Sequence, residues 1–244
     1  MSSSAEELKA LIDATDNIVF FGGAGVSTES GIPDFRSKDG LYNKPDVNFA
    51  QYQPEYLLSH SCLVREPKVY YEFHRQKMDT RNIEPNNAHK YLAKLEEMGK
   101  LKAVVTQNID GLHQKAGSKN VQEIHGSALR CYCVSCRKKY GPDFIFENTD
   151  PVTKCPECGR MIRPDVTLYG ETLPQPAYSN AISLIQFADC LIIGGTSLEV
   201  GSAAGLAHSY HGKHLVIINK GKTKMEGKAD IVFHDSIGKV LGMI

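Results

Sequence analysis

Four cysteines fall in two pairs, Cys133-x-x-Cys136 and, 18 residues later, Cys155-x-x-Cys158. Each C-x-x-C turn puts two sulfurs on one side of a knuckle, and two knuckles at this spacing complete the four-thiolate set of a zinc ribbon. A closed site of four thiolates has no open coordination position, so one Zn2+ held there keeps structure and does no chemistry. Cys131 leaves the register open, because Cys131-x-Cys133 is a competing pair. Two disulfides or free thiols are the plainer alternatives to a metal. Cys62 and Cys190 lie in apolar surroundings and read as small core residues.

A second group of residues could handle a phosphorylated ligand. The apolar run Ile18-Val19-Phe20-Phe21 empties into Gly22-Gly23-Ala24-Gly25. Gly23 and Gly25 lack the Cβ atoms that would keep backbone N–H groups away from an anion, and a helix opening near Val26 would aim its positive end at a pyrophosphate. An ordinary dehydrogenase site is not indicated. Thr28 stands where the third glycine of G-x-G-x-x-G would fall, and the window that should end a second strand with an acidic ribose ligand reads SGIPDFRSKDGLYNKP, a loop. A tight turn is the plainer reading of the glycines alone.

Further polar groups follow strand-like runs. Thr106-Gln107-Asn108-Ile109-Asp110-Gly111 comes directly after one, and in a doubly wound sheet such residues face the crevice outside the carboxyl ends of the strands. His125 follows another. A lone histidine is most often structural, but beside Asn108 and Asp110 it is a candidate general base. Gly194-Gly195-Thr196-Ser197 is a small, donor-rich turn suited to phosphate or ribose, and Asn219 could bond ribose hydroxyls where a dehydrogenase offers an acid. His208, His211 and His214 cross a helix end at Gly212 and read as surface histidines.

These residues need a scaffold of alternating elements. Buried strands are expected at Ile18–Phe21, Lys102–Thr106, Val121–Ile124, Val166–Leu168, Cys190–Ile193 and Leu215–Ile218, with helices at Ala177–Phe187 and Gly201–His211. Asn86-Asn87 cap a helix on which Ala88, Leu92 and Leu95 recur, ended by Gly99. Ser4 and Glu7 are in capping-box spacing within a first helix over Met1–Asp13. Pro54 and Pro67 could each open a short helix, the second placing Val69, Phe73 and Lys77 on one face. The alternation predicts an α/β fold, a doubly wound parallel sheet. Into it are inserted a helical segment (38–85) and a metal-stapled module (128–164), leaving 1–37, 86–127 and 165–244 for the nucleotide-binding core.

A chain of 244 residues with 41% apolar content can bury a full core. Its 28 basic and 28 acidic residues cancel, so no overall basic footprint for nucleic acid or an anionic membrane is expected, and Arg137-Lys138-Lys139 reads as solvated surface. No run approaches 18 apolar residues, and the first residues lack a signal peptide's apolar centre. Paired cysteines kept for metal suit a reducing compartment, so a cytoplasmic location is expected.

Taken in order, GAGVSTESGIPDFR, TQNIDGLH, His125-Gly126, the paired C-x-x-C, RPDVTLYGE and GTSLEV resemble the sirtuin family of NAD-dependent protein deacylases, from about Asn17 to Ile237. The resemblance implies a Rossmann-like domain, a small module joining zinc ribbon and helical insert, and NAD and an acyl-lysine peptide bound between them. It puts Ala24, Thr28, Asp34, Phe35 and Arg36 on the cofactor loop. Gln107, Asn108, Ile109 and Asp110 fall at the nicotinamide pocket, and Thr196, Ser197, Asn219 and Ile237 on the ribose and adenine side. Asn108 and His125 are the implied catalytic residues, His125 as the base. NAD is then a consumed co-substrate: the acyl oxygen attacks the nicotinamide ribose, nicotinamide leaves, and His125 deprotonates a ribose hydroxyl. The products are free lysine and O-acetyl-ADP-ribose.

The peptide is expected as a strand between the loop of Gly170 and Glu171 and the loop running from Ser197 through Leu198 to Val200, beside Thr167 and Tyr169. Thr167 stands where the family often has an apolar residue, and Tyr169 where Phe is usual. Relatives that remove acidic acyl groups carry a Tyr-x-x-Arg pair, whereas here Tyr71 is followed by His74, so acetyl is expected over succinyl. The expected partners are acetyl-lysine proteins or peptides, and a monomer is expected. A mono-ADP-ribosyltransferase using the same pocket and a non-catalytic NAD- or ADP-ribose-sensing module are the alternatives.

Overall fold

The strand β1 (Ile18–Gly22) is buried along its whole length, because every residue in it is apolar or glycine and helices cover both its faces. The computed structural model describes residues 3–43 and 46–244. Alternation along β1 divides the core: Ile18 and Phe20 enter one apolar layer, Val19 and Phe21 the other. The first layer is closed by helices Ser3–Ala14, Asn87–Glu97 and Ile237–Leu241, the second by Gln175–Phe187 and Gly201–His208. Phe20 and Phe21 are fully buried, and each ring withdrawn from water contributes about 1.5–3 kcal/mol.

Around β1 lie β2 (Leu101–Thr106), β3 (Val121–Glu123), β7 (Cys190–Gly194), β8 (His214–Ile218) and β9 (Ile231–Phe233), in the order β3-β2-β1-β7-β8-β9 with every pair parallel. This is the expected Rossmann-like sheet. The order reverses between β1 and β7, so their carboxyl ends, Gly22 and Gly194, stand side by side in register at the switch point. Asn86 caps Asn87–Glu97 by accepting from Ala88 N–H at 2.9 Å, and Gly99 follows with φ 75°.

A second sheet is antiparallel, with β4 (Gly126–Cys133) between β5 (Lys139–Tyr140) and β6 (Ile162–Val166). The short helices Pro54–Leu57 and His60–Arg65, with Pro67–Lys77, share one apolar cluster with it, including Leu63, Tyr70, Phe73, Cys131 and Ile162. The two proline-opened helices are where the sequence put them.

Four local expectations fail. Val166 ends β6 and pairs with Gly126 in the small sheet, so no strand over Val166–Leu168 joins the parallel one. Near Val26 there is no α-helix but two single 3-10 turns, Ala24–Val26 and Thr28–Ser30, because Gly31 in the left-handed region ends the second. The helix expected to reach His211 stops at His208. The first helix runs from Ser3 through Ser4, so Ser4 lies inside it and does not cap it; Met1 and Ser2, and Lys44 and Pro45 of the 38–85 insert, lie outside the described residues. β9 and Ile237–Leu241 are elements too short to leave a periodic signal.

Candidate active site

At the switch point the loops leaving β1 and β7 clasp each other. Gly23 N–H donates to Gly194 O at 3.2 Å and Gly25 N–H to Gly195 O at 2.8 Å, while Val26 and Ser27 N–H close back on Gly23 O and Ala24 O at 3.0 Å each. A Cβ on Gly23 would lie 2.9 Å from Thr196 Cβ, and one on Gly25 2.8 Å from Gly195 Cα. The glycines are thus required by the approach of the Gly195 turn. The Gly23 and Gly25 amides themselves are committed to the Gly194 and Gly195 carbonyls. Gly195 takes the left-handed region at φ 59°, and Gln107 Nε2 closes the group by donating to Thr196 Oγ1 at 2.9 Å. Thr28 Oγ1 donates to Gly25 O at 3.0 Å.

The loop after β2 supplies the acid and the amide. Asn108 Nδ2 donates to Ser27 Oγ at 3.0 Å, and Ser27 Oγ donates to Asp110 Oδ2 at 2.6 Å. Leu112 N–H donates to Asp110 Oδ1 at 2.9 Å. Burial raises the Asp110 carboxyl above its ordinary value, against the Ser27 and Leu112 bonds, which lower it. Ile109 packs on the small apolar cluster, and its carbonyl accepts Ala128 N–H at 2.9 Å. Ser27 was not singled out in the sequence; its position inside GAGVSTES was the available signal.

His125 leaves β3. Its Nδ1 lies 3.0 Å from Gln107 O, and a carbonyl only accepts, so Nδ1 carries the proton and Nε2 is left as the acceptor. Burial lowers the imidazole below its ordinary value, and the Gln107 bond opposes this only in part. The ring is therefore neutral near pH 7. Gly126 follows at φ 78°, and a Cβ there would fall 2.0 Å from Asp165 O. Only glycine permits β4 to start beside Asp165 while His125 stays at the sheet edge.

Other predicted residues sit around this centre. Asp34 Oδ1 accepts Arg36 N–H at 3.1 Å and Ser37 N–H at 2.8 Å, and Phe35 tilts against Tyr42 at 5.5 Å. Ser197 is exposed, Leu198 is buried at φ 58°, and Val200 caps Gly201–His208 through its backbone. Asn219 turns its amide to Gly221 O at 2.8 Å. Ile237 is buried against Gly194, where a Cβ would lie 2.3 Å from its Cδ1. Glu29 accepts Gly238 N–H at 2.6 Å and joins the Thr28–Ser30 turn to that helix. Thr167 N–H donates to His125 O at 2.9 Å.

The side chains of Glu171, Tyr71 and His74 are held by partners in the small sheet and the segments packed on it. The Glu171 carboxylate accepts from Arg163 Nη2 and Leu168 N–H at 2.9 Å each and pairs with His60 Nδ1 at 2.9 Å. Burial works against its charge, but these bonds outweigh it and hold the carboxyl at about 2. Only its backbone remains for a peptide. Tyr71 donates its hydroxyl to Ile162 O, and His74 stacks between Tyr70 at 5.7 Å and Phe146 at 5.3 Å. Burial lowers His74 to about 3, so the ring offers no cation.

The four cysteines converge as expected. The sulfurs of Cys133, Cys136, Cys155 and Cys158 all lie within 4.8 Å of one another, with Cys133 to Cys158 at 3.4 Å and Cys136 to Cys155 at 3.7 Å. Tetrahedral zinc with Zn–S bonds of about 2.3 Å needs sulfur separations of ~3.8 Å, so the set fits one Zn2+. The two knuckles share one construction. Cys133 N–H reaches Lys138 O at 2.9 Å and Arg137 N–H returns to Cys133 O at 3.2 Å; Cys155 N–H reaches Arg160 O at 2.7 Å and Gly159 N–H returns to Cys155 O at 2.8 Å. Arg137 and Gly159 both take the left-handed region. Cys131 is buried in β4 opposite Tyr140, which settles the register against it, and Cys62 and Cys190 are core residues. His208 and His211 are exposed and belong to no metal cluster among the described residues.

A model of the Sir2 family matches residues 23–202. A protein of Clostridium perfringens (strain 13 / Type A) named NAD-dependent protein deacetylase is 56% identical over 246 residues, covering 100% of this chain and 99% of that one. A solved structure of Sir2 with a p53 peptide and NAD+ is similar with a TM-score of 0.85 at 37% identity, over 98% of this chain and 95% of that one. Another, of Sir2 with deacetylated p53 peptide and 3'-O-acetyl ADP ribose, gives a TM-score of 0.87 at 37% identity, over 97% of this chain and 95% of that one. The clasped glycine loops, the His125 edge and the four-thiolate ribbon thus stand in a chain matched from end to end, and this chain belongs to the Sir2 family, the sirtuins.

Proposed function

We propose that this chain is an NAD-dependent protein lysine deacetylase that consumes NAD and yields deacetylated lysine, nicotinamide and O-acetyl-ADP-ribose. The observation that carries the reading is the state of His125: Nδ1–H is held by the carbonyl of Gln107, the residue before Asn108 of the Asn108–Ser27–Asp110 chain, and a neutral Nε2 is left as an acceptor. A binding module has no use for a desolvated base there.

NAD supplies the ADP-ribosyl group that takes the acyl unit. His125 accepts a proton at Nε2 from a ribose hydroxyl, and its lowered basicity keeps that nitrogen free at neutral pH. Asp110, with two of its acceptor sites filled by Ser27 and Leu112, uses the rest to hold the nicotinamide carboxamide. Asn108 keeps its side-chain oxygen for the ribose or the catalytic water. Gly23, Ala24, Gly25, Thr28, Asp34, Phe35, Arg36, Gln107 and Ile109 shape the cofactor side. Thr196, Ser197, Asn219 and Ile237 serve the ribose and adenine. One Zn2+ on Cys133, Cys136, Cys155 and Cys158 fixes the small sheet and has no open position for substrate.

The acetyl-lysine peptide adds as a strand between Gly170–Glu171 and Leu198–Val200, against Thr167 and Tyr169. Acetyl is preferred to succinyl because neutral, stacked His74 cannot pair with a carboxylate and Arg163 is committed to Glu171. Balanced charge gives no footprint for nucleic acid. No helix among the described residues is long and apolar enough to cross a membrane. We assign the chain to the cytoplasm, where NAD is available and thiolates stay reduced, and expect a monomer of a nucleotide-binding core (1–37, 86–127, 165–244) with a helical insert (38–85) and a zinc module (128–164).

Mass spectrometry after mixing the protein with NAD and an acetyl-lysine peptide tests the function. A peptide lighter by one acetyl group, with nicotinamide and O-acetyl-ADP-ribose appearing together, supports it. A protein or peptide carrying ADP-ribose would replace it with transferase activity, and unchanged reactants would replace it with a sensor or with a different acyl group as substrate.

A further inference from the structure

Tyr169 is anchored through its backbone from both sides. Its N–H donates to Leu58 O at 3.0 Å and its carbonyl accepts His60 N–H at 3.0 Å, a one-residue parallel bridge to Ser59. The side chain reaches from this anchor to a different part of the chain. Its hydroxyl lies 3.0 Å from the Tyr42 hydroxyl and accepts from Arg36 Nη2 at 3.3 Å. The Arg36 guanidinium also stands over the Tyr42 ring at 5.7 Å.

Arg36 and Tyr42 belong to a loop that is well bonded within itself. Leu41 N–H donates to Asp34 O at 2.7 Å and Tyr42 N–H to Phe35 O at 2.9 Å, forming two rungs. Asn43 Nδ2 donates to Arg36 O at 3.0 Å and Ser37 O at 2.7 Å. Residues 34–43 are therefore one unit, and a single oxygen on Tyr169 touches two of its side chains. Burial and the Tyr169 bond both raise the Tyr42 hydroxyl above its ordinary range, so it stays protonated.

We infer that the Tyr169 hydroxyl is a positioning group for the reaction: it holds Arg36 and Tyr42, and so fixes the loop offered to NAD against the face offered to the acyl-lysine peptide. This rests on the deacetylase reading above. A phenyl ring at position 169 would keep the ring and both backbone bonds, and would lose only the junction. Removing the oxygen from Tyr42 breaks the same junction from the other side without touching the peptide face.

The test is calorimetric binding of ADP-ribose to the wild type, Tyr169→Phe, Tyr42→Phe and the double variant, with KM for NAD and for an acetyl-lysine peptide measured alongside. Each single variant is expected to bind ADP-ribose about threefold to tenfold more weakly. The double variant should be no weaker than the weaker single one, because both remove one junction. Tyr42→Phe should raise KM for NAD and leave KM for the peptide unchanged. In the unliganded protein, amide exchange at Leu41 and Tyr42 should quicken in either variant. Single variants that match the wild type in affinity and exchange, or a double variant whose loss is the product of the two, would overturn the inference. Failure of the deacetylase reading shows elsewhere, as a wild type that releases no nicotinamide; the exchange measurement still decides the junction in that case.

Discussion

Ser27 and Asp110, 83 positions apart in the chain, are joined by a 2.6 Å bond from the serine hydroxyl to the carboxylate. The same hydroxyl accepts Asn108 Nδ2 at 3.0 Å, so one oxygen from the loop after β1 orients two side chains from the loop after β2. Ser27→Ala should fold, since the smaller side chain fits the buried site and the turn's backbone bonds through Ser27 N–H and O remain. It leaves a buried carboxylate short of one donor, a loss of about 1.5–3 kcal/mol for a bond to a charged group. We expect kcat/KM for NAD to fall by roughly 10-fold to 100-fold, measured at fixed acetyl-lysine peptide. A value within twofold of the wild type would remove Ser27 from the site.

His125→Ala should abolish turnover while ADP-ribose still binds, because Nε2 is the proton acceptor and the ring is tied to the fold through Nδ1 and Gln107 O. The imidazole is held below its ordinary 6.5, burial being the larger cause. Activity that needs the neutral ring therefore persists below that pH. The acid limb of kcat/KM should have its midpoint under 6.5, and a midpoint above that value would contradict the assignment.

Cys155→Ser removes one of four thiolates from a closed site. Metal analysis of the purified variant should show zinc falling from one per chain to near zero. Protease cuts should then appear between residues 128 and 164, since metal binding and folding of such a module are coupled. A variant that kept its zinc and its melting temperature would refute the ribbon.

Three buried histidines outside the active site set an acid limit on stability. Burial lowers His74 and His113 from 6.5 to about 3 and His89 to about 4. Below the unfolded value the unfolded chain takes up protons that the folded rings refuse, so stability is complete above that value and falls as pH falls. Each histidine contributes a slope approaching ~1.4 kcal/mol per pH unit. Urea midpoints taken from pH 7 to pH 5, with zinc retention checked at each step, should decline steadily. Midpoints that do not change across that range would show that these rings are protonated in the native state.

Acetyl-lysine and succinyl-lysine peptides should differ by more than 10-fold in kcat/KM, in favour of acetyl, because a desolvated carboxylate without a cationic partner is costly. His74 is stacked and neutral, and the Arg163 guanidinium is already bonded to Glu171. Equal rates on the two peptides would mean that another cation reaches the acyl group.

Much of this was legible along the chain. Runs such as Ile18–Phe21 and Cys190–Ile193 are apolar throughout because both faces of a parallel strand are covered, and this marks them without any partner in view. The C-x-x-C pairs specify their own knuckles, since the bonds that shape each one lie within six residues. His125-Gly126 was also readable as a pair, although the reason for the glycine, the Asp165 carbonyl 2.0 Å from its would-be Cβ, was not.

What the tertiary structure alone decided is what side chains and amides do once distant segments meet. Gly23 and Gly25 face the Gly195–Thr196 turn, which no local pattern reveals, so the close approach that their missing Cβ atoms permit is one to the neighbouring loop. Val166 had the composition of a core strand, but its register partner Gly126 drew it into the antiparallel sheet. Glu171, expected on the loop beside the peptide, has its carboxylate held by Arg163. Sequence determines the type and spacing of groups because those are covalent; partner choice depends on contacts across many tens of residues, where burial and hydrogen bonding compete, and only the folded chain resolves that competition.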